Sequence, residues 1–168
     1  MGVFDETKWV ACSRTRLSRK RHQGAIETKT ALPATDRQTI LLVDDDHAVL
    51  AFCACVLRMG GYSVLEAEGG PHAVRLAESY KGKIHLLVTD VEMPHLSGRQ
   101  LSAYLSLDRN DMPVLFMSGT ADENWLCDEL LPCGVSFVPK PFTAGTFLRR
   151  VREAIDGANF ATATSATS

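Results

Sequence analysis

The chemistry-bearing residues of this chain gather at four points: the acidic triplet Asp44-Asp45-Asp46, Asp90, Ser118, and Lys140 between two prolines. If Asp44 and Asp45 converge on Asp90, carboxylates about 4 Å apart repel by roughly 4 kcal/mol at an effective dielectric near 20. A divalent cation relieves that repulsion. Oxygen-only ligands around an open, water-bearing position suit Mg²⁺ better than zinc or copper. Lys140 adds a compact positive charge and Ser118 a neutral hydroxyl donor. Such a set suits phosphoryl transfer, in which a carboxylate attacks phosphorus while a hard cation and an ammonium hold the equatorial oxygens. Asp46 has a plainer reading as the N-cap of the helix that follows. Adjacent Asp44 and Asp45 cannot both share that role.

These residues need elements to bring them together, and the hydrophobic pattern supplies them. Short apolar runs at Thr39–Val43, Tyr62–Leu65, Ile84–Thr89, Val114–Met117 and Val135–Val138 have strand length. Each precedes a stretch with helical spacing: His47–Met59, Pro71–Tyr80, Gly98–Leu107, Asp122–Leu131 and Thr143–Ile155. Five βα repeats predict an α/β fold, a doubly wound five-stranded parallel sheet with helices on both faces. In such sheets chemistry lies beyond the carboxyl ends of the strands, where the strand order reverses. Asp44, Asp90, Ser118 and the Lys140 segment all follow strand ends. Lys140 alone would read as an exposed ion pair worth little; the coincidence of four strand ends argues for a site.

Composition narrows the rest. The chain has 168 residues, 45% apolar and 23% charged, enough for one ordinary domain and some additional chain. Net charge is −2, but residues 1–37 hold eight Lys/Arg against four acids, while 38–157 hold ten against sixteen. The acidic body argues against nucleic-acid binding by the folded domain, because such affinity comes from neutralising phosphates. The division predicts a basic, flexible N-terminal arm (1–37), a folded domain (38–157) and a small-residue C-terminal tail (158–168). The longest apolar run, Ala48–Leu57, is ten residues, too short for a membrane span. MGVFDETKWV has no signal-peptide core, and Glu6 sits where a myristoylation signal needs Ser or Thr. A cytoplasmic location is expected. Five cysteines without a CxxC pair read as thiols of a reducing compartment.

LLVDDD at 41–46, TDVEMPHLSG at 89–98, VLFMSGT at 114–120 and FVPKPF at 137–142 together resemble the receiver domain of two-component response regulators. The resemblance covers about 38–157, with the blocks in family order. It implies a flavodoxin-like (βα)5 receiver fold in which Asp90 accepts a phosphoryl group from a sensor histidine kinase or histidine phosphotransfer protein. It further implies Mg²⁺ held by Asp44, Asp45, Asp90 and the backbone carbonyl of Glu92. Ser118 and Lys140 would contact the phosphoryl oxygens, Phe137 would be the aromatic switch, and Lys140–Pro141 would be cis. The Glu92 side chain, two residues past the acceptor, is expected to tune the phosphoryl lifetime. The Met93–Gly98 loop is expected to turn sharply, with Gly98 in a backbone conformation closed to other residues.

The resulting expectation is a single-domain signalling switch that catalyses only its own phosphorylation and dephosphorylation. Output would be by protein contact, through the face around the fourth helical stretch, fifth strand and fifth helix, with Trp125 as an anchor. The protein would be a monomer or a phosphorylation-dependent dimer. Two other readings keep the same site: a phosphate sink or relay intermediate, and a Mg²⁺-dependent small-molecule phosphohydrolase. The last lacks a DxDxT pattern at Asp44.

Overall fold

The computed structural model describes residues 37–119 and 135–165, with side chains over 37–119 and 136–157. Strands β1 (Thr39–Val43), β2 (Ser63–Ala67), β3 (Leu86–Asp90), β4 (Val114–Ser118) and β5 (Val135–Pro139) alternate with helices α1 (His47–Met59), α2 (Gly70–Ser79), α3 (Gly98–Ser106) and α4 (Ala144–Ser165). The helical stretch expected at 122–131, with Trp125, lies outside the described residues, as do residues 1–36. All strand pairs are parallel, in the order β2-β1-β3-β4-β5. The order reverses between β1 and β3, so Asp44 and Asp90 flank the crevice where ligands bind in this architecture.

Strand side chains alternate between two cores. Ile40, Leu42, Val88, Leu115 and Met117 face Leu50, Cys53 and Leu57 of α1 and Phe147, Val151 and Ile155 of α4. Leu41, Val43, Leu87 and Phe116 face Ala73 and Ala77 of α2 and Leu101 and Leu105 of α3. Each large side chain buried this way contributes about 1.5–3 kcal/mol. A parallel sheet covered on both faces explains why its strands read as continuous apolar runs. Among the described residues no helix is long and apolar enough to cross a membrane.

Three boundaries differ from the periodicity by two residues or more. β2 extends past the predicted Leu65 to Ala67, because Glu66 on this edge strand pairs with Arg58 of α1 and is tolerated there. β3 starts at Leu86, two residues late; Ile84 packs in the core from outside the ladder. α4 continues to Ser165, ten residues past the predicted end at Ile155 and into the segment expected as a tail. No proline interrupts it, and Gly157 leaves it intact.

Helix starts follow side-chain capping. Asp46 accepts from the N–H groups of Ala48 and Val49 at 2.8 and 3.3 Å, as its N-cap position predicts. Ser97 and Gln100 form a capping box at α3. Gly98 follows directly, and its need for glycine is steric rather than conformational: its φ is not positive, but a Cβ there would lie 2.0 Å from the Asp90 carbonyl oxygen. The Gly98 N–H donates to the Val91 carbonyl at 3.0 Å, so the loop closes directly onto the end of β3.

Replacing Gly98 should therefore disturb the strand end that carries Asp90. Gly98→Ala is expected to lower stability by about 1–3 kcal/mol, the range for overpacking. Gly119→Ala, where a Cβ meets nothing within 4 Å among the described residues, should stay within about 0.5 kcal/mol. Urea midpoints of the two variants decide this; equal effects would refute the steric account.

Candidate functional site

The site is built on strand ends that the sheet register holds side by side. Asp44 continues from β1, and its N–H donates to the Ala67 carbonyl across the sheet at 3.2 Å. Asp90 ends β3, opposite Met117 of β4. The Lys140 N–H donates to the Ser118 carbonyl at 2.6 Å, joining the β5 end to the β4 end, and Lys140–Pro141 is cis as expected. Phe142 follows and stacks on Phe147 of α4 with centroids 5.1 Å apart.

Lys140 is the hub. Its Nζ donates to Asp44 Oδ2 at 2.8 Å and to Asp90 Oδ2 at 3.1 Å. Asp44 is fully buried, and its other oxygen accepts from the Asp46 N–H at 2.9 Å. Asp45 points to solvent, yet one carboxylate oxygen from each of Asp44, Asp45 and Asp90 lies within 4.8 Å of the others. Three carboxylates thus face one ammonium. Burial raises the Asp44 carboxyl above its ordinary range, and the bonds from Lys140 and Asp46 only partly oppose this. Burial would lower the Lys140 ammonium, but hydrogen bonds and charges from Asp44 and Asp90 outweigh it and hold it above its usual value. Beneath the site, burial and then the Asp44 charge push the Cys53 thiol up to about 12, so Cys53 is no nucleophile there.

The remaining residues fall into two groups. Ser118 is buried at the β4 end, one strand from Asp90. Phe137 lies half-buried on β5, opposite Phe116, against the core shared with α2 and α3. Glu92 sits exposed on the loop after Asp90. Among the described residues, a Cβ built at Gly119 would meet nothing within 4 Å.

An unforeseen feature is a cleft beside the acids, lined by Asp45, Glu68, His72, Arg75, Pro94 and His95. His95 adopts a left-handed backbone, φ 68°, which histidine tolerates better than most residues. Nothing in the sequence flagged it: residues 68–75 follow the end of β2, the one strand end that carries no obvious chemistry.

An oxygen-only set of three clustered carboxylates with one exposed member fits a hard divalent cation, and its formal charge of −2 with Lys140 matches that ion. The sequence model of the response regulator receiver domain matches residues 40–152. The chain is 31% identical over 135 residues to the sensor kinase CckA of Brucella abortus, covering 79% of this chain and 14% of that protein. It is 32% identical over 113 residues to the response regulator MprA of Mycobacterium leprae, covering 67% and 49%. The chain thus spans from about a seventh to a half of the length of these relatives. Among solved structures, the receiver domain of the hybrid histidine kinase CckA is 38% identical with a TM-score of 0.59, covering 70% of this chain and 98% of that one. A receiver protein from Sinorhizobium medicae is 25% identical with a TM-score of 0.66, covering 74% and 99%. With this fold and the crossed strand ends that carry its acids, the chain belongs to the response regulator receiver domain family of two-component signalling.

Proposed function

We propose that residues 38–157 form a cytoplasmic phosphorylation switch in which Asp90 accepts a phosphoryl group from a sensor histidine kinase or phosphotransfer protein. The observation that carries this reading is the Lys140 ammonium bonded to both Asp44 and Asp90, with Asp45 completing the acidic cluster. Asp44, Asp45, Asp90 and the Glu92 carbonyl would hold Mg²⁺. The bound ion supplies charge neutralisation for the incoming phosphoryl oxygens.

The chain's own residues then have distinct tasks. An Asp90 carboxylate oxygen attacks phosphorus; the bond to the donor nitrogen breaks, and its electron pair leaves with the donor imidazole. Lys140 exchanges its Asp90 contact for a phosphoryl oxygen, and Ser118 donates its hydroxyl to another. That pull on the β4 and β5 ends lets Phe137 turn inward, biasing a two-state surface. Phe has no hydroxyl to anchor an outward position, so packing alone drives its switch. Output would use the face around β5 and α4, by protein contact as a monomer or phosphorylation-dependent dimer. Any catalysis is confined to the protein's own phosphorylation and dephosphorylation, and residues 1–37 act as a basic arm.

Incubation with Mg²⁺ and acetyl phosphate or phosphoramidate should add one phosphoryl group by mass, and Asp90→Asn should abolish it. Absence of an adduct, with no binding of beryllofluoride, would overturn the reading; rapid turnover of general phosphate esters would favour a phosphohydrolase instead. Glu92→Ala should change the adduct's half-life severalfold, and an unchanged half-life would remove Glu92 from the reaction.

The raised Asp44 carboxyl makes a separate stability prediction. Its proton is held more tightly in the folded than in the unfolded chain, so its contribution is full below the ordinary carboxylate range and is lost as pH rises. Asp44→Asn should therefore raise the metal-free Tm at pH 7, with a gain that shrinks towards pH 4. Mg²⁺ at ten times its Kd should stabilise the wild-type chain by about 1.4 kcal/mol, and the variant by much less. A metal-free variant less stable at pH 7 would contradict the desolvation argument.

A further inference from the structure

Beside the acidic cluster, and sharing Asp45 with it, lies a cleft of about 450 Å³, within the range of roughly 300–1,000 Å³ typical of small-molecule sites. The other polar groups of the wall are unequally engaged. Glu68 faces His47, with His47 Nδ1 3.7 Å from its carboxylate, and the Glu68 N–H donates to His72 Nδ1 at 3.4 Å. Arg75, on the second turn of α2, has no ion pair or hydrogen bond among the described residues. A guanidinium without a carboxylate partner therefore lines a cleft beside the phosphoacceptor cluster.

We infer that this cleft receives the leaving group of a low-molecular-weight phosphodonor, and that Arg75 selects donors whose leaving group is a carboxylate. The inference rests on Asp90 as phosphoacceptor. In phosphoryl transfer the attacking and leaving atoms lie roughly in line, so the leaving group points away from Asp90 and out of the site. The equatorial oxygens have Lys140, Ser118 and the cation cluster; the leaving group has only what borders the opening. With an acyl phosphate, the new bond is Asp90 oxygen to phosphorus. The bond broken is phosphorus to acyl oxygen, whose electron pair departs as a carboxylate, and no proton is required. A guanidinium fork matches that carboxylate with two parallel N–H donors. With phosphoramidate the phosphorus–nitrogen bond breaks and neutral ammonia leaves, which gains nothing from Arg75. Donor preference is thus the readout that distinguishes leaving-group recognition from general damage.

The test compares Asp90 phosphorylation rates in Mg²⁺, with each donor below saturation, for the wild-type chain, Arg75→Gln and Arg75→Lys. Arg75→Gln should slow the acetyl phosphate reaction about tenfold, the scale of a lost charge-assisted hydrogen bond, and leave the phosphoramidate rate within about twofold. Arg75→Lys should recover part of the loss, since it keeps the charge without the fork. An unchanged Tm increment from Mg²⁺ with beryllofluoride shows the acceptor pocket intact. Equal slowing of both donors, or no slowing of either, overturns the inference. Failure of both donors on the wild-type chain, with no Tm increment from Mg²⁺ and beryllofluoride, would instead overturn Asp90 as acceptor.

Discussion

One ammonium faces three carboxylates, and the rest of the structure is arranged around that imbalance. Lys140 reaches two acids that lie 96 and 50 residues earlier in the chain, tying the end of β5 to the ends of β1 and β3. One of those acids, Asp44, is wholly buried. Burying a carboxylate costs several kcal/mol unless partners repay it. Lys140 and the Asp46 N–H repay it only in part, which is why the Asp44 carboxyl sits above its ordinary range. A cluster of this kind is poor stabilisation by itself. It makes sense as a place prepared for charge that arrives later.

Holding such a cluster in place requires rigid surroundings, and the fold provides them at each strand end. Five parallel strands with helices on both faces, the central ones buried, fix the register, so adjacent ends cannot slide apart without exposing both cores. Asp46 takes the helix cap, which leaves Asp44 and Asp45 free to face the crevice. Gly98 lets the loop after Asp90 close to a distance that any Cβ would forbid. The Phe142–Phe147 stack packs the turn after Lys140 against α4. Asp46 and Phe142 lie within two residues of charged members of the cluster, and Gly98 packs directly against the Asp90 carbonyl.

These devices were unequally legible in the sequence. The gathering of Asp44, Asp45, Asp90 and Lys140 at the strand ends was legible because the strand-end rule and four ordered blocks converge there. The strands themselves stood out because buried parallel strands are uniformly apolar. Gly98 was noticed for the wrong reason: a close approach between backbone atoms leaves no mark on composition, whereas positive-φ glycines share the same letter. The extension of α4 was missed because the apolar periodicity gives out after Ile155, where the sequence turns to small residues. The cleft was invisible for a related reason. Glu68, His72, Arg75 and His95 are ordinary surface residue types, and only the juxtaposition of the β2–α2 and β3–α3 connections makes them neighbours.

Charge arithmetic links the cluster to switching. The three carboxylates and Lys140 sum to −2, and a divalent cation brings the sum to zero. Converting Asp90 to an acyl phosphate removes one carboxylate charge and adds about two on the phosphoryl group, for a sum near −1. On the proposed reading, the ammonium of Lys140 would then be drawn to the phosphoryl oxygens, with a cation left to offset Asp44. Because the Lys140 N–H bonds the Ser118 carbonyl and so joins the ends of β4 and β5, such an exchange would act on the strand bearing Phe137. The imbalance that makes the resting site costly would therefore also be what lets one phosphoryl group bias the sheet edge opposite β2.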